Sequence, residues 1–292
     1  MIELKGCGTA LVTPFKDGEV DYESYAELID RQVDAGVDFL VPLATTGETP
    51  ALSSEEKIAL LKLTQGHAAG KPLLVGCGSN SVPGTLANMK LLEGCGADAW
   101  LVVVPFYNKP TQEGQYLYFK AVASSTDKPI IIYNVPGRTG ANMAAQTCIR
   151  LAREIPNIIG IKEASGKLEQ VYEILDGAPE GFSVLSGDDD LTLEMMKHGA
   201  KGVISVASNI VPAAVKEMTG AALEGRFDEA EAVDAKLQPL FKNCFVESNP
   251  IPVKSALSIM GLMSAEVRLP LSEANSQTES TMRKTLEDLS LI

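Results

Sequence analysis

The sequence alternates eight times between a short apolar run and a segment long enough to form a helix. The apolar runs begin near Gly8, Asp38, Lys71, Ala99, Pro129, Ile158, Phe182 and Lys201. This alternation predicts parallel strands joined by right-handed helical crossovers, because parallel neighbours need a long connection. Eight such units within about 220 residues are expected to close into a (β/α)8 TIM barrel. An open doubly wound sheet is the rival fold, but residues 9–14 lack the glycine-rich turn that follows its first strand.

Local signals support helices in the intervals between these runs. Residues 22–35 carry apolar side chains at helical spacing and stop at Gly36, where a glycine suits a helix end. Ser53 and Glu56 have the spacing of a capping box, and the helix that they open is expected to close at Gly70.

The strand signal stops after about residue 223. Three further helical segments are expected, over residues 227–245, 252–260 and 276–289. The chain is therefore predicted to consist of a catalytic barrel, residues 1–223, and a C-terminal helical appendage, residues 224–292. No low-complexity linker separates the two parts, so we expect them to pack together.

Composition excludes several classes of function. The 292 residues include 25 Lys and Arg against 38 Asp and Glu, and the net charge of −13 argues against nucleic acid or an anionic membrane as a partner. The sequence shows neither a signal peptide nor an apolar run near the roughly 18 residues of a membrane helix. Five cysteines and two histidines occur without the spacing of a metal site, so we expect free thiols, no metal and a cytoplasmic location.

Lys162 interrupts the apolar run over residues 158–164. A strand that is buried on both faces rarely ends in a charge without a role. Burial favours the neutral amine, and the neutral amine is the form that attacks the carbonyl of a keto acid to make a Schiff base. The alternative is a structural lysine that pairs with Glu163 or lies in a solvated loop, and this run alone favours neither reading.

Two further loops follow predicted strands and carry polar or aromatic side chains. The adjacent Thr45 and Thr46 precede Gly47, and their hydroxyls and amides are suited to hold a carboxylate, although the same residues are typical of an ordinary turn. Phe106 and Tyr107 lie in a proline-flanked loop, where aromatic residues are typical of packing or of an interface.

The fifth predicted strand ends in Tyr133, which can transfer protons or simply reach solvent. Pro136 and Gly137 predict a type II turn that would hold Arg138 on a rigid corner, where it could bind a carboxylate.

After the seventh strand, Gly187 allows a close backbone approach to a ligand, and Asp188 is expected to cap the next helix. Taken together, an amine, a phenol, hydroxyls and a guanidinium lie at the strand ends of one barrel. This set is suited to imine chemistry on a 2-oxo acid. No thiamine, pyridoxal phosphate or metal cofactor is required, because the protonated imine is itself the electron sink.

Three motifs resemble those of the dihydrodipicolinate synthase family, which belongs to the pyruvate-dependent class I aldolases together with N-acetylneuraminate lyase. They are TTGE at residues 45–48, YNVPGRT at 133–139 and GIKEA at 160–164. The segment NPIPVK at residues 249–254 is also similar, so the resemblance extends from about residue 8 to the end of the chain.

The resemblance implies a lyase that condenses pyruvate with L-aspartate 4-semialdehyde to give 4-hydroxy-tetrahydrodipicolinate, in lysine and diaminopimelate biosynthesis. Lys162 would form the imine with pyruvate. Tyr133 would relay protons through Thr45 and through Tyr107, which reaches in from a neighbouring subunit in this family. The family is usually a homotetramer built from tight dimers, with Phe106 and Tyr107 at the dimer contact.

The remaining implied roles concern substrate binding. Thr46 would hold the carboxylate of pyruvate, and Arg138 the carboxylate of the second substrate. Gly187 and Ile204 would complete the substrate-binding set.

The chain departs from the family pattern at several positions. Ala44 replaces a more usual glycine, and Phe106 replaces the first of a tyrosine pair. The stretches that form the feedback lysine pocket of bacterial members carry Ser54, Lys57 and Gly84 instead of histidine and glutamate. Because an ammonium effector would meet Lys57, we expect lysine inhibition to be weak or absent.

Two alternatives remain from the sequence. A sister aldolase, such as N-acetylneuraminate lyase or 2-keto-3-deoxygluconate aldolase, uses the same imine, but Arg138 favours a second substrate with a carboxylate. A non-catalytic barrel that binds a keto acid would not need Lys162 and Tyr133 together.

Overall fold

The computed structural model describes residues 2–292, and eight parallel strands form its central sheet. All eight predicted runs contain a strand. The strands are β1 (Gly6–Ala10), β2 (Phe39–Val41), β3 (Leu74–Gly76), β4 (Ala99–Val103), β5 (Ile130–Asn134), β6 (Ile158–Glu163), β7 (Ser183–Ser186) and β8 (Gly202–Ser205).

The sheet closes on itself. β1 pairs in parallel with both β8 and β2, and β3 to β8 pair in chain order. An isolated parallel bridge between Leu40 and Leu73 joins β2 to β3 and completes the circle. The predicted TIM barrel is confirmed, and the open doubly wound sheet is excluded.

Helices connect the strands around the outside of the barrel, and further helices follow the last strand. They are α1 (Tyr22–Asp34), α2 (Ser54–His67), α3 (Val82–Leu91), α4 (Gln112–Ala123), α5 (Pro136–Thr139), α6 (Ala145–Glu154), α7 (Leu168–Gly177), α8 (Thr192–Lys197), α9 (Pro212–Leu223), α10 (Phe227–Asn243), α11 (Ile251–Ile259) and α12 (Ser276–Asp288). A two-stranded hairpin, Phe15–Lys16 with Glu19–Val20, follows β1. Within residues 2–292, no helix combines the length and the apolar character needed to cross a membrane.

The predicted capping box opens α2. The Ser53 hydroxyl accepts from the Glu56 amide at 3.1 Å, and the Glu56 carboxylate accepts from the Ser53 amide at 2.7 Å. The helix ends at His67, earlier than the expected stop at Gly70, because Ala69 already adopts a positive φ of 50°. Gly70 follows with a φ of 81°, so the glycine lies in the turn after the helix.

Two apolar layers form the core. Side chains that alternate along the strands point either into the barrel or outward to the helices. The inner layer consists of Leu4, Ala10, Phe39, Val41, Ala44, Leu74, Ala99, Leu101, Ile131, Tyr133, Val135, Leu185 and Ile204. The interior is therefore packed, and in TIM barrels the active site lies at the carboxyl ends of the strands.

Three helices follow the barrel, as the sequence predicts. α10 packs against α9, and α12 packs against both α10 and α11. The last barrel helix ends at Leu223. A division into domains at residues 223 and 224 remains a prediction, since the appendage packs directly on the barrel.

Candidate active site

Lys162 lies near the carboxyl end of β6, beside Tyr133 of β5. The two residues are partners in the parallel register, so their side chains point to the same face, into the barrel. Lys162 Nζ lies 4.4 Å from the centre of the Tyr133 ring, and the lysine is only 4% exposed. The ring face attracts a cation weakly and leaves the amine free of a fixed hydrogen-bond partner.

Glu163 does not pair with Lys162, because it points to the opposite face of the same strand. Its carboxylate accepts from Asn134 Nδ2 at 3.0 Å, from the Ser165 amide at 2.9 Å and from Gln170 Nε2 at 3.3 Å. Burial raises the pKa of Glu163, and these hydrogen bonds oppose the rise. Among residues 2–292, no carboxylate oxygen lies within 4.0 Å of Lys162 Nζ, so the ion-pair alternative is wrong.

Gly187 packs against the stem of Lys162. A Cβ at this position would lie 3.0 Å from Lys162 Cε and 2.6 Å from the Cβ of Ala164. The Gly187 amide donates to the Glu163 carbonyl at 2.8 Å, which fixes the backbone there. The absence of a side chain at Gly187 therefore leaves space for the Lys162 side chain. The contact of Gly187 with a ligand stays a prediction.

Asp188 does not cap a helix, which corrects the sequence expectation. It stands at the N-cap position of the short helical turn 189–191, but its side chain accepts no capping hydrogen bond. Its backbone carbonyl accepts from the Ser186 and Thr192 hydroxyls. Burial raises the pKa of Asp188 to about 6, with a further contribution from the negative charge of Asp190. The positive charge of Lys162 opposes this rise, so the carboxyl group belongs to the electrostatic environment of the amine.

A cavity of about 470 Å³ opens at this end of the barrel. Thr45, Tyr133 and Arg138 line it, together with Lys57 and Phe106. Lys162 is not among the lining residues, but it lies against Tyr133, which lines the cavity. The Tyr133 phenol, the Thr45 hydroxyl and the Arg138 guanidinium therefore line one cavity, and the Lys162 amine lies beside it.

Arg138 is positioned by a helical turn, and the predicted type II turn is wrong. Gly137 does not adopt the positive φ which that turn requires at its third residue. Residues 136–139 instead form α5, which ends at Gly140 with a φ of 71°. The Arg138 amide donates to the Val135 carbonyl at 2.9 Å, and Nη2 donates to the Asn249 carbonyl at 3.2 Å.

Thr46 contacts the same segment of the appendage. Its hydroxyl accepts from Asn249 Nδ2 at 3.0 Å, and both side chains are buried. Sequence reasoning did not identify Asn249 as a site residue. The available signal was the NPIPVK segment at residues 249–254, which contributed only to the family resemblance.

Tyr107 and Ile204 do not line the cavity, and neither do Thr46 and Gly187. The Tyr107 side chain is 87% exposed, its φ is 74°, and it is not among the residues that line the cavity. Its role in proton relay therefore remains a prediction. Ile204 is fully buried on β8, in the inner layer that also contains Tyr133 and Leu185, so it shapes the floor beneath the site.

Comparisons with known proteins agree with this geometry. The family model described as the dihydrodipicolinate synthetase family matches residues 3–289. A 4-hydroxy-tetrahydrodipicolinate synthase from Sulfurihydrogenibium sp. (strain YO3AOP1) is 46% identical over 98% of this chain and 99% of its own length. One from Phocaeicola vulgatus is also 46% identical, over 99% of this chain and 98% of its own.

Solved structures give the same result. The crystal structure of dihydrodipicolinate synthase from Thermotoga maritima has a TM-score of 0.98 and 43% identity, with 100% of both chains covered. A second structure is described as the first monomeric dihydrodipicolinate synthase variant. It has a TM-score of 0.97 and 43% identity, and the match covers 99% of this chain and 97% of the other chain. The chain belongs to the dihydrodipicolinate synthetase family.

Proposed function

We propose that this chain is a 4-hydroxy-tetrahydrodipicolinate synthase, which condenses pyruvate with L-aspartate 4-semialdehyde in lysine and diaminopimelate biosynthesis. One observation carries the proposal. Lys162 is a buried amine without a carboxylate partner in residues 2–292, held against Tyr133 beside a cavity at the carboxyl end of a parallel barrel. A buried and unpaired lysine costs stability, which makes a purely structural role a poor explanation.

The first half of the reaction makes a nucleophile from pyruvate. Neutral Lys162 Nζ attacks the C2 carbonyl, and loss of water gives the imine. Tyr133 accepts and returns the protons that this exchange moves, with Thr45 as the next hydroxyl in the relay. Loss of a methyl proton then gives the enamine, since the protonated imine accepts the electron pair.

The second half joins the two substrates. The enamine carbon attacks the aldehyde of L-aspartate 4-semialdehyde and forms the new carbon–carbon bond. The amine of this substrate then replaces Lys162 at the imine carbon, closes the ring and releases the enzyme. Thr46 is proposed to hold the pyruvate carboxylate and Arg138 the second carboxylate, with Gly187 and Ile204 completing the substrate-binding set.

We propose that the working assembly is a homotetramer built from tight dimers. The exposed pair Phe106 and Tyr107 supports this, because large exposed aromatic residues beside a cavity are typical of an interface. In such a dimer Tyr107 would enter the partner's site. We also place the enzyme in the cytoplasm, which is consistent with five free and buried cysteines.

A coupled assay tests the reaction against its sister chemistry. The purified enzyme should consume pyruvate only when L-aspartate 4-semialdehyde is present, and a downstream reductase should report the product. N-acetylneuraminate and 2-keto-3-deoxygluconate should not be cleaved. Cleavage of either sugar acid at a rate similar to the condensation would favour the sister aldolase.

Feedback control is the second testable property. Lys57 lines the cavity, and a bound lysine would bring its own ammonium group toward this cation. We predict that L-lysine inhibits weakly or not at all. Initial rates over a lysine titration measure this, and a rate that fell by half at low millimolar lysine would refute it.

A further inference from the structure

We propose that Asn249 is a positioning residue for the reaction, which orients the hydroxyl of Thr46 as a hydrogen-bond donor toward a substrate carboxylate. This inference rests on the proposed function, because it assumes that a carboxylate binds beside Thr46. Asn249 itself is not proposed to contact the substrate. Asn249 acts through Thr46. It lies in the appendage, outside the barrel that carries the catalytic side chains.

The geometry begins with a buried hydrogen bond that joins the appendage to the barrel. Asn249 is 5% exposed and lies just before α11. Its Nδ2 donates to Thr46 Oγ1 at 3.0 Å, and its backbone carbonyl accepts from Arg138 Nη2 at 3.2 Å. One residue thus contacts both groups that are proposed to hold substrate carboxylates, through two different atoms.

The donor amide determines what the Thr46 hydroxyl can do. A hydroxyl has one hydrogen and two lone pairs, and here a lone pair is occupied by the Asn249 amide. Within the described chain, the Thr46 hydroxyl makes no second hydrogen bond. Its hydrogen therefore remains available to a ligand, and an acceptor such as a carboxylate is the matching partner.

The two orientations of the Asn249 amide would give the Thr46 hydroxyl opposite roles. In the observed one, Asn249 Oδ1 is buried without a hydrogen-bond partner. Rotating the amide would direct Oδ1 at Thr46 and would leave both amide hydrogens without partners, whereas the observed orientation leaves Oδ1 and one amide hydrogen unpaired. The Thr46 hydrogen would then point at Asn249 and away from any substrate.

A buried ion pair fixes both sides of this contact. Lys254 Nζ, on α11, donates to Glu48 Oε1 at 2.7 Å, and both side chains are almost fully buried. Glu48 lies two residues after Thr46 and adopts a positive φ of 51° in the same turn. Glu48 Oε2 also accepts from the Arg268 amide at 3.0 Å. The turn and the segment around Asn249 are therefore anchored independently of the amide.

Kinetics of Asn249→Leu test the proposal, because leucine has a similar shape and cannot donate. The pyruvate KM should rise about tenfold or more, as expected when a hydrogen bond to a charged group is weakened. The KM for L-aspartate 4-semialdehyde should change less than about threefold, since the backbone carbonyl that binds Arg138 is retained. Asn249→Asp, which keeps the shape and also cannot donate, replaces the leucine variant if the latter does not fold.

A double-mutant cycle with Thr46→Val separates positioning from general damage. In the Thr46→Val background, Asn249→Leu should raise the pyruvate KM no further, because the hydroxyl that it orients is absent. An unchanged pyruvate KM in the single variant, equal effects on both KM values, or additive effects in the cycle would overturn the inference. Failure of the unmodified enzyme to form product would instead reject the proposed function.

Discussion

At the scale of single residues, the site combines a buried lysine and a partly buried aspartate that a stable core would avoid. Lys162 has no carboxylate partner within residues 2–292, and the Asp188 carboxyl, with its pKa raised to about 6, accepts no capping hydrogen bond. Sites for catalysis commonly retain groups of this kind at the expense of stability. We therefore expect substitutions here to separate stability from activity.

Asp188→Asn should make the folded state more stable at alkaline pH. Because the pKa is raised from its ordinary 3.8 to about 6, the native state binds more protons between these values, and the free energy of unfolding falls as pH rises through that window. The variant should gain at most about 3 kcal/mol at pH near 8, at about 1.4 kcal/mol per pKa unit, and nothing at pH near 4.

Urea unfolding at both pH values measures this difference. Asp190→Asn is the matched control, because Asp190 is exposed and contributes only part of the charge that acts on Asp188. A gain that is equal at both pH values, or that is larger for the control, would contradict the assignment.

Sequence reasoning predicted that Lys162, Tyr133, Thr45 and Arg138 lie at one end of the barrel, because chemistry in a parallel barrel lies at the strand ends and strand ends can be read from apolar runs. It missed Asn249 for a physical reason. The contact with Thr46 joins residues 203 positions apart, and no local pattern encodes it. The dihedral angles of a short turn also cannot be read from its sequence, because both a type II turn and a helical turn accept proline followed by glycine.

At the scale of elements, the appendage and the barrel are joined by a buried charge pair. Lys254 of α11 and Glu48 of the turn after β2 form it, and burial lowers the pKa of Lys254 while Glu48 opposes this change. A pair of this kind often stabilises little compared with apolar residues, but removal of one partner leaves the other charge buried. The pair connects α11 to the turn after β2 through two almost fully buried side chains.

Lys254→Met should destabilise the protein by about 3 to 5 kcal/mol, because Glu48 is left buried without a counter-charge. A double variant that adds Glu48→Gln should recover most of this loss. Denaturant unfolding measures both, and Lys284→Met, which removes an exposed pair with Asp288, should change little. A double variant less stable than Lys254→Met alone would contradict this account.

At the scale of the whole molecule, the cavity opens beside two exposed aromatic residues, Phe106 and Tyr107. Phe106 lines the cavity while it is 40% exposed, and the neighbouring Tyr107 extends away from the surface. The proposed function implies that a second copy of the chain binds to the surface around Phe106 and Tyr107. The outer end of the cavity would then be formed by the dimer.

Phe106→Glu should give a monomer of low activity, because a charge at the centre of an interface is strongly unfavourable. Light scattering coupled to size exclusion, with activity measured on the same fractions, tests this. Leu223→Glu is the matched control. Leu223 is 39% exposed and ends α9, which runs back to the opposite face of the barrel. A Phe106→Glu variant that remained dimeric and active would contradict the proposed contact.

The central claim is that Lys162 forms the covalent imine with pyruvate. Reduction with borohydride in the presence of labelled pyruvate, followed by peptide mapping, measures this directly. The account predicts one labelled lysine, Lys162, and no label in Lys162→Arg, because a guanidinium cannot form this imine. An unlabelled protein, or label on a different lysine with Lys162 unmodified, would contradict it.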